Sequence, residues 1–331
     1  MINYSESPRS YAGAQGSDLN PTGKFRNDKK GRSMFTLGFY LSPSDIGRMR
    51  CKMEEFLLGG ISVIGTDGFM QWRDDRHCQK VADNIHNLGM KCNSIHAPFG
   101  LNFLSKQDIR RSIEDNKRLV DVAALWGAGN IVHHFRSLRT QAGDTHFASN
   151  AEIAQEKPAG LDAVAAEVLP EVCEYASSKK IHINLENLPL VPWARNPYDI
   201  LVFLKKMKIP NLKFLLDIGH ANCSGYNVCE VIKNSGAYLQ DVHFHDNFGP
   251  RNWDFCFIPE NPDIMKYDQH LPPGMGNIPW LGVVRALKEV NYKNPIMFEA
   301  PNSSAAVALT RSVWYMAEYL SNTNIAFDLN P

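Results

Sequence analysis

From residue 34 onward, short apolar runs rich in β-branched residues alternate with longer segments of helical periodicity. The runs are predicted as strands at residues 35–41, 61–66, 92–98, 130–135, 181–187, 212–218, 239–246 and 295–301. Helices are predicted at residues 43–58, 75–88, 107–126, 161–178, 197–207, 226–234, 280–290 and 303–321. The dipeptide Asn196-Pro197 is typical of a helix start, and it opens the fifth helical segment.

Eight strand–helix units in succession predict an α/β protein with a closed (β/α)8 TIM barrel. A doubly wound open sheet is the alternative, but it gives no reason for eight units. No GxGxxG motif follows the first strand, so we expect no nucleotide cofactor. Serine-hydrolase and P-loop motifs are absent as well.

The first 33 residues have a different composition from the rest of the chain. They are rich in Ser, Gly, Asn, Lys and Arg and nearly free of aliphatic side chains. Such a segment cannot bury enough apolar surface to offset its chain entropy. We therefore predict a flexible or draped N-terminal arm at 1–33 and a single barrel domain at 34–331, with packing of the arm on the barrel or on a second subunit as the alternative.

Charge and cysteine content narrow the cellular context. The 331 residues carry 35 Lys and Arg against 35 Asp and Glu, which removes a broad electrostatic argument for nucleic acid or membrane partners. No apolar run approaches the ~20 residues of a membrane span, and the start lacks the apolar core of a secretory signal. Seven scattered cysteines without a CxxC pair indicate reduced thiols, so we predict a cytoplasmic protein.

Metal-binding residue types gather where the predicted strands end. A single histidine beside an apolar run is usually a core residue, but here six consecutive strands each end in histidine or a carboxylate. In a barrel these ends meet at one mouth, and so many buried ionisable groups need a partner such as a divalent cation. Imidazoles and carboxylates without thiolate suit Mn, Mg, Co, Fe or Zn. The residues are His96, His133, His134, Glu186, Asp217, His220, His243, His245, Asp246, Asp268, His270 and Glu299.

Two connections after predicted strands are unusually long, at residues 136–160 and 247–279. Loops of this length in a compact domain are usually functional, and both leave the face where barrel active sites form. We expect the second to fold over the mouth and bring Asp268 and His270 to it. Pairing of these two side chains on the surface is the alternative.

Four motifs at the strand ends resemble the xylose-isomerase-like TIM-barrel superfamily. They are NLENLP around Glu186, LLDIGHAN around Asp217, VHFHDN around His243 and MFEAP around Glu299. The resemblance covers residues 34–325. That superfamily includes sugar isomerases, ketose 3-epimerases, inosose dehydratases and endonuclease IV type enzymes.

The sugar enzymes of this superfamily imply one divalent metal, held by Glu186, Asp217, His243 and Glu299. His245 is the alternative to His243, because some epimerases carry a similar HxH. By the same resemblance Glu186 and Glu299 are catalytic, moving a proton at the carbon next to a carbonyl through a metal-stabilised enediolate. The mouth residues expected to contact a small carbohydrate substrate are His96, His133, His220, His245, Arg251 and Trp193.

Resemblance to endonuclease IV implies a different chemistry, a phosphoesterase with three metals. His96, His133 and Glu186 would hold one ion. The four residues named above for the sugar enzymes would hold a second ion, and three further residues would hold the third. Those residues are His220, Asp268 and His270, in a stretch DQHLPPGMGNIPW that resembles the endonuclease segment. The chain lacks a basic stripe interleaved with aromatics, which argues against a nucleic acid partner.

The sequence therefore predicts a metal-dependent sugar or sugar-phosphate isomerase or epimerase. The endonuclease-like phosphoesterase is the second hypothesis. A catalytically silent barrel that binds a partner through its arm is the third. A homo-oligomer is compatible with all three.

Overall fold

The computed structural model describes residues 34–41, 46–67, 72–98, 109–134, 161–189, 194–250 and 268–323. Eight strands run through these residues, all parallel to their neighbours. They are β1 (Leu37–Leu41), β2 (Val63–Asp67), β3 (Lys91–His96), β4 (Asn130–His133), β5 (His182–Glu186), β6 (Leu212–Asp217), β7 (Leu239–Phe244) and β8 (Ile296–Phe298). Because β8 also pairs with β1, the sheet closes into the predicted TIM barrel, which confirms the fold class.

The helices of the described residues lie between and after the strands. They are α1 (Ile46–Leu58), α2 (Asp75–Asn87), α3 (Ile109–Trp126), α4 (Leu161–Ser178), α5 (Pro197–Met207), α6 (Ile218–Cys223), α7 (Val228–Ser235), α8 (Trp280–Glu289) and α9 (Ser304–Ser321). The predicted N-terminal arm, the connection 136–160 and residues 251–267 lie outside the described residues. None of the described helices is both long and apolar enough to cross a membrane.

Helix starts follow local capping chemistry. The Asp74 side chain accepts hydrogen bonds from the backbone of the first turn of α2. Asn196 accepts from Tyr198 N at α5, where Pro197 occupies the first turn as its fixed φ favours. One helix was not predicted: α6 follows β6 at once, because Asp217 ends the strand and caps the helix by accepting from His220 N. Ile218, predicted as the last strand residue, is therefore helical.

The main core lies between the outer face of the barrel and the helices. Trp314 of α9 is fully buried there, and its ring contacts Phe35, Phe244 and Phe298 with centroids 5.7–5.9 Å apart. Such aromatic contacts add to the free energy gained from apolar burial. This core holds the strands in place whatever the mouth of the barrel binds.

A buried aspartate after β7 fixes the segment 268–279. Asp246 pairs with Leu271 through both backbone hydrogen bonds, at 2.7 and 2.8 Å. Its carboxylate accepts from Gly274 N at 2.8 Å and from Trp280 Nε1 at 2.9 Å on one oxygen, and from Ile278 N at 3.2 Å on the other. This single side chain therefore sets the path of the loop that returns to α8.

We predict that Asp246→Asn destabilises the fold, because an amide nitrogen cannot accept the hydrogen bonds that one carboxylate oxygen now accepts. Two buried N–H groups left unpaired would lower the free energy of unfolding by about 2–5 kcal/mol. Urea unfolding measures this change. Asp199→Asn, an exposed acid in the first turn of α5, is the control, with an expected cost below about 1 kcal/mol. An unchanged urea midpoint for Asp246→Asn would contradict the prediction.

Candidate metal centre

Ionisable side chains from six strand ends meet at one end of the barrel. His96 and Glu186 are the last residues of β3 and β5, and Asp217 is the last of β6. His243 lies in β7, and Glu299 follows β8 directly. Parallel strands closed into a barrel present these ends on one face, so residues distant in sequence become neighbours.

Glu186 lies at the centre of the cluster, with its side chain fully buried. Its Oε1 lies 3.1 Å from His243 Nδ1 and 3.6 Å from His220 Nδ1. Its Oε2 contacts His134 Nε2 and lies 3.9 Å from His96 Nε2. Burial alone would raise the pKa of Glu186, but His134 and His243 outweigh burial and hold it well below its usual value. The carboxylate is therefore ionised and surrounded by imidazoles.

Glu299, which follows β8, faces the same space as Glu186. Its Oε1 lies 3.0 Å from His96 Nε2, and its Oε2 lies 3.7 Å from His243 Nδ1. Burial would raise its pKa, but His243 and His96 lower it below the usual range. His96, Glu186, His243 and Glu299 each offer a ligand atom, and these atoms lie within 4.8 Å of one another. We call these four residues the first group.

Asp217 belongs to an adjoining group with Glu186 and His220. Its Oδ1 accepts from His220 N at 2.7 Å and lies 3.2 Å from His245 Nε2. Its Oδ2 is buried and has no hydrogen-bond partner among the described residues. The Asn187 amide bonds both the N–H and the carbonyl of Asp217, which fixes the end of β6. Of the quartet implied by the sugar enzymes, three members share the first group, and Glu186 links Asp217 to them.

A further group, which we call the second group, consists of His220, His245, Asp268 and His270. Asp268 Oδ2 lies 3.4 Å from His220 Nε2, and its Oδ1 lies 3.5 Å from His245 Nε2 and 3.3 Å from His270 Nε2. The His245 and His270 rings stack with centroids 3.9 Å apart and an interplanar angle of 11°. The loop after β7 thus brings Asp268 and His270 to the mouth, and Asp268 is nearly buried rather than on the surface.

The carboxylate of Asp268 and the imidazoles of the second group shift each other's pKa values in opposite directions. Burial would raise the pKa of Asp268, but His220 and His270 hold it below its ordinary range. Burial lowers the pKa of His270, but Asp268 outweighs this effect and raises it to about 9. His270 Nδ1 donates to the Glu299 carbonyl at 2.6 Å, which ties the two groups together.

At the end of β4 the structure differs from the sequence prediction, which chose His133, the last strand residue, over His134, the residue that follows it. The structure brings His134 to Glu186 instead, with its ring 4.9 Å from that of His96. Adjacent strand residues point to opposite sides of the wall, so the two rings separate. His133 is buried, and burial lowers its pKa to about 3, which keeps the ring neutral.

Tyr40 is a functional candidate that the sequence analysis missed. Its hydroxyl lies 2.9 Å from His243 Nε2 and 2.8 Å from Ser94 Oγ. An aromatic residue in the first apolar run gives no signal that separates it from core residues. Two predicted substrate contacts, Trp193 and Arg251, lie outside the described residues.

The side chains present fit a divalent cation. The donor atoms of the three groups are all carboxylate oxygens and imidazole nitrogens, the set that suits Mn, Co or Zn. Asp217 Oδ2 and Asp268 Oδ1 are buried polar atoms without a hydrogen-bond partner among the described residues. Such atoms are costly unless a ligand satisfies them. The six cysteines of the described residues are free thiols, and none belongs to a group.

Comparison with known proteins identifies relatives of the barrel. The chain is 34% identical to an uncharacterized protein, MJ1311, of Methanocaldococcus jannaschii over 160 residues, 47% of this chain and 48% of the relative. It is 23% identical to an L-ribulose 3-epimerase of Methylomonas sp. (strain DH-1) over 168 residues, 48% of this chain and 51% of the relative. The matched part spans about half the length of these curated relatives.

A solved structure of a D-tagatose 3-epimerase-like protein has a TM-score of 0.63 to this chain. The superposition covers 86% of this chain and 98% of that one at 20% identity, which establishes likeness of fold. A family model described as a xylose isomerase-like TIM barrel matches residues 59–318, a range that includes every residue of the three groups. The chain belongs to the xylose isomerase-like TIM-barrel family.

Proposed function

We propose that the protein is a divalent-metal-dependent isomerase or epimerase of a small sugar or sugar phosphate. The observation that carries the proposal is the pair Glu186 and Glu299, whose carboxylates both lie within 4 Å of His243 Nδ1. Fold likeness to a D-tagatose 3-epimerase-like protein and distant similarity to an L-ribulose 3-epimerase support the substrate class. A cytoplasmic location and a homo-oligomeric state stay predictions.

The two carboxylates are suited to move a proton at a carbon beside a carbonyl. Both have pKa values below the usual range, so each is ionised at neutral pH and can accept a proton. His96 lies 3.0 Å from Glu299 Oε1 and can exchange a proton with it, which would let Glu299 return one to the substrate. A cation bound by Glu186, Asp217, His243 and Glu299 would polarise the carbonyl.

The second group is suited to hold the polar part of the substrate. His220 and His270 offer ring N–H donors and Asp268 offers carboxylate acceptors, and the hydroxyl groups of a sugar can pair with both kinds of group. The buried rings of His220 and His245 keep this side of the mouth closed to bulk water. Trp193 and Arg251 stay predicted substrate contacts.

We predict that Glu186→Gln lowers the metal content of the purified protein and abolishes turnover, while the barrel still folds. The amide removes the central negative charge, but the aromatic core around Trp314 lies outside the barrel wall. Elemental analysis and thermal unfolding by circular dichroism measure the two effects. Asp217→Asn is also expected to lower the metal content and abolish turnover without unfolding the barrel.

Glu171→Gln is the matched control, because Glu171 pairs with Lys117 at 2.6 Å and Arg110 at 3.0 Å on the outer helices. We expect wild-type metal content for this variant. Full metal content in both Glu186→Gln and Asp217→Asn would reject the assigned ligands.

Proton transfer predicts isotope exchange with solvent. Incubation with a ketose substrate in deuterated water should place deuterium on the carbon next to the carbonyl, because the carboxylate that takes the proton exchanges it. Nuclear magnetic resonance or mass spectrometry of the recovered sugar measures this. Glu299→Gln should abolish the exchange. Turnover without any deuterium at that carbon would count against a proton shared with solvent.

A metal-cluster phosphoesterase is the second candidate function, and one observation favours it. Three ligand groups adjoin, since Glu186 belongs to two of them and His220 links the third. Such an arrangement could hold several cations around a phosphate.

Metal stoichiometry separates the two candidates. For the isomerase or epimerase we expect one tightly bound ion per chain, retained by His270→Ala because His270 lies outside the first group. Three ions per chain in elemental analysis, together with cleavage of an abasic-site duplex that His270→Ala abolishes, would favour the phosphoesterase instead.

A further inference from the structure

Tyr40 connects the metal centre to the interior of the barrel. It lies in β1, and its ring edge meets the His243 ring with centroids 4.5 Å apart. The contact joins β1 to β7, and the hydrogen bond from Tyr40 to Ser94 reaches β3, so the hydroxyl lies inside the barrel. His243 Nε2 therefore faces Tyr40, while Nδ1 faces Glu186 and Glu299.

The hydrogen-bond chain ends at a buried carboxylate. Ser94 bonds the side chain of Asp241, which also accepts from Asn93 Nδ2 at 3.1 Å to each oxygen and from Val242 N at 2.9 Å. The register between β2 and β3 shifts at Asn93, and such a bulge lets neighbouring residues reach the same side of a sheet. Asn93 and Ser94 can therefore both bond Asp241.

A carboxylate offers only acceptors, and this fixes the direction of every bond in the chain. Ser94 must donate to Asp241, so its oxygen accepts from the Tyr40 hydroxyl. The Tyr40 oxygen can then only accept a hydrogen bond, and His243 Nε2–H is the donor. The proton on Nε2 is thereby retained, and Nδ1 is the ring nitrogen that can release its proton to a cation.

The barrel leaves room for Tyr40 at one glycine. A Cβ placed on Gly65 of β2 would lie 2.5–2.9 Å from three atoms of the Tyr40 ring, closer than van der Waals contact allows. Any side chain at position 65 would displace the ring. The placement of the hydroxyl thus depends on a second residue whose only evident role is to leave space.

We propose that Tyr40 is a positioning residue, which keeps the proton of His243 on Nε2 and so directs Nδ1 toward the cation. The inference rests on the proposed function for the identity of His243 as a ligand. It also favours His243 over His245, because neither ring nitrogen of His245 has a hydrogen-bond partner among the described residues that would fix its tautomer.

The test uses the full-length protein, Zn²⁺ as the probe and Tyr40→Phe as the variant, which keeps the ring in its space and removes the hydroxyl. Loss of a partner that orients a ligand typically lowers metal affinity by about 10- to 100-fold, and we expect a loss of this size by calorimetric titration. Tyr175→Phe is the control, because it removes a tyrosine hydrogen bond to Asp121 on the outer helices. Gly65→Ala should weaken Zn²⁺ binding as Tyr40→Phe does.

A second readout is specific to the proposed role. With ¹⁵N-labelled histidine, we expect the Zn²⁺-loaded wild type to show His243 protonated at Nε2 and ligated at Nδ1. In Tyr40→Phe the Nε2 proton should exchange with water much faster. Wild-type Zn²⁺ affinity together with an unchanged Nε2 proton in Tyr40→Phe would overturn the proposal.

The two proposals fail in different ways. A wild-type protein that binds no divalent cation would reject the proposed function. The Nε2–H signal of the metal-free protein would still report the bond to Tyr40. An Nε2 proton that is unprotected in the metal-free wild type would reject the positioning role even if Zn²⁺ binds tightly.

Discussion

The structure of the mouth depends on one constraint, the complete burial of the Glu186 carboxylate. An ionised group taken out of water costs several kcal/mol unless charges and hydrogen bonds replace its hydration. No neighbour in sequence supplies them. They come from His134, His220 and His243, in segments that the pairing of β4, β5, β6 and β7 brings together. Glu186 therefore depends on the pairing of these strands for its partners, whereas the aromatic core around Trp314 does not depend on Glu186.

Protons and cations are alternative partners for the same atoms. Without a cation, Glu186 and neighbouring carboxylates raise the pKa of His243 to about 10 against the effect of burial. Its positive charge then stabilises the cluster at neutral pH and is lost as the pH rises through that value. A bound cation must displace the Nδ1 proton, and metal binding by such sites releases protons. A positive charge thus faces Glu186 and Glu299 in both states, carried by the protonated His243 ring or by a cation.

The barrel could be predicted from sequence because each unit repeats one visible contrast, a short apolar strand and a longer amphipathic helix. The strand-end positions of residues such as Glu186 and Asp217 then indicated where the candidate site lies. Three details of the site could not be predicted from the sequence. The choice of His134 over His133 depends on which side of the wall each residue faces, and a doublet at a strand end does not encode that. Helix α6 is too short for periodicity, and its start depends on a tertiary context around Asp217. Tyr40 looked like an ordinary core aromatic.

The polar interior of the barrel fits the needs of the proposed metal centre. Barrel interiors are usually filled by branched apolar side chains, which pack without unsatisfied atoms. Here Ser94, Tyr40 and Asp241 occupy space below the mouth, and each must be hydrogen-bonded to avoid a penalty. An imidazole that binds a cation through one nitrogen needs an acceptor for the other, and an apolar layer offers none. A polar layer directly beneath His243 meets that need, and its own requirement for partners accounts for the chain that continues down to Asp241.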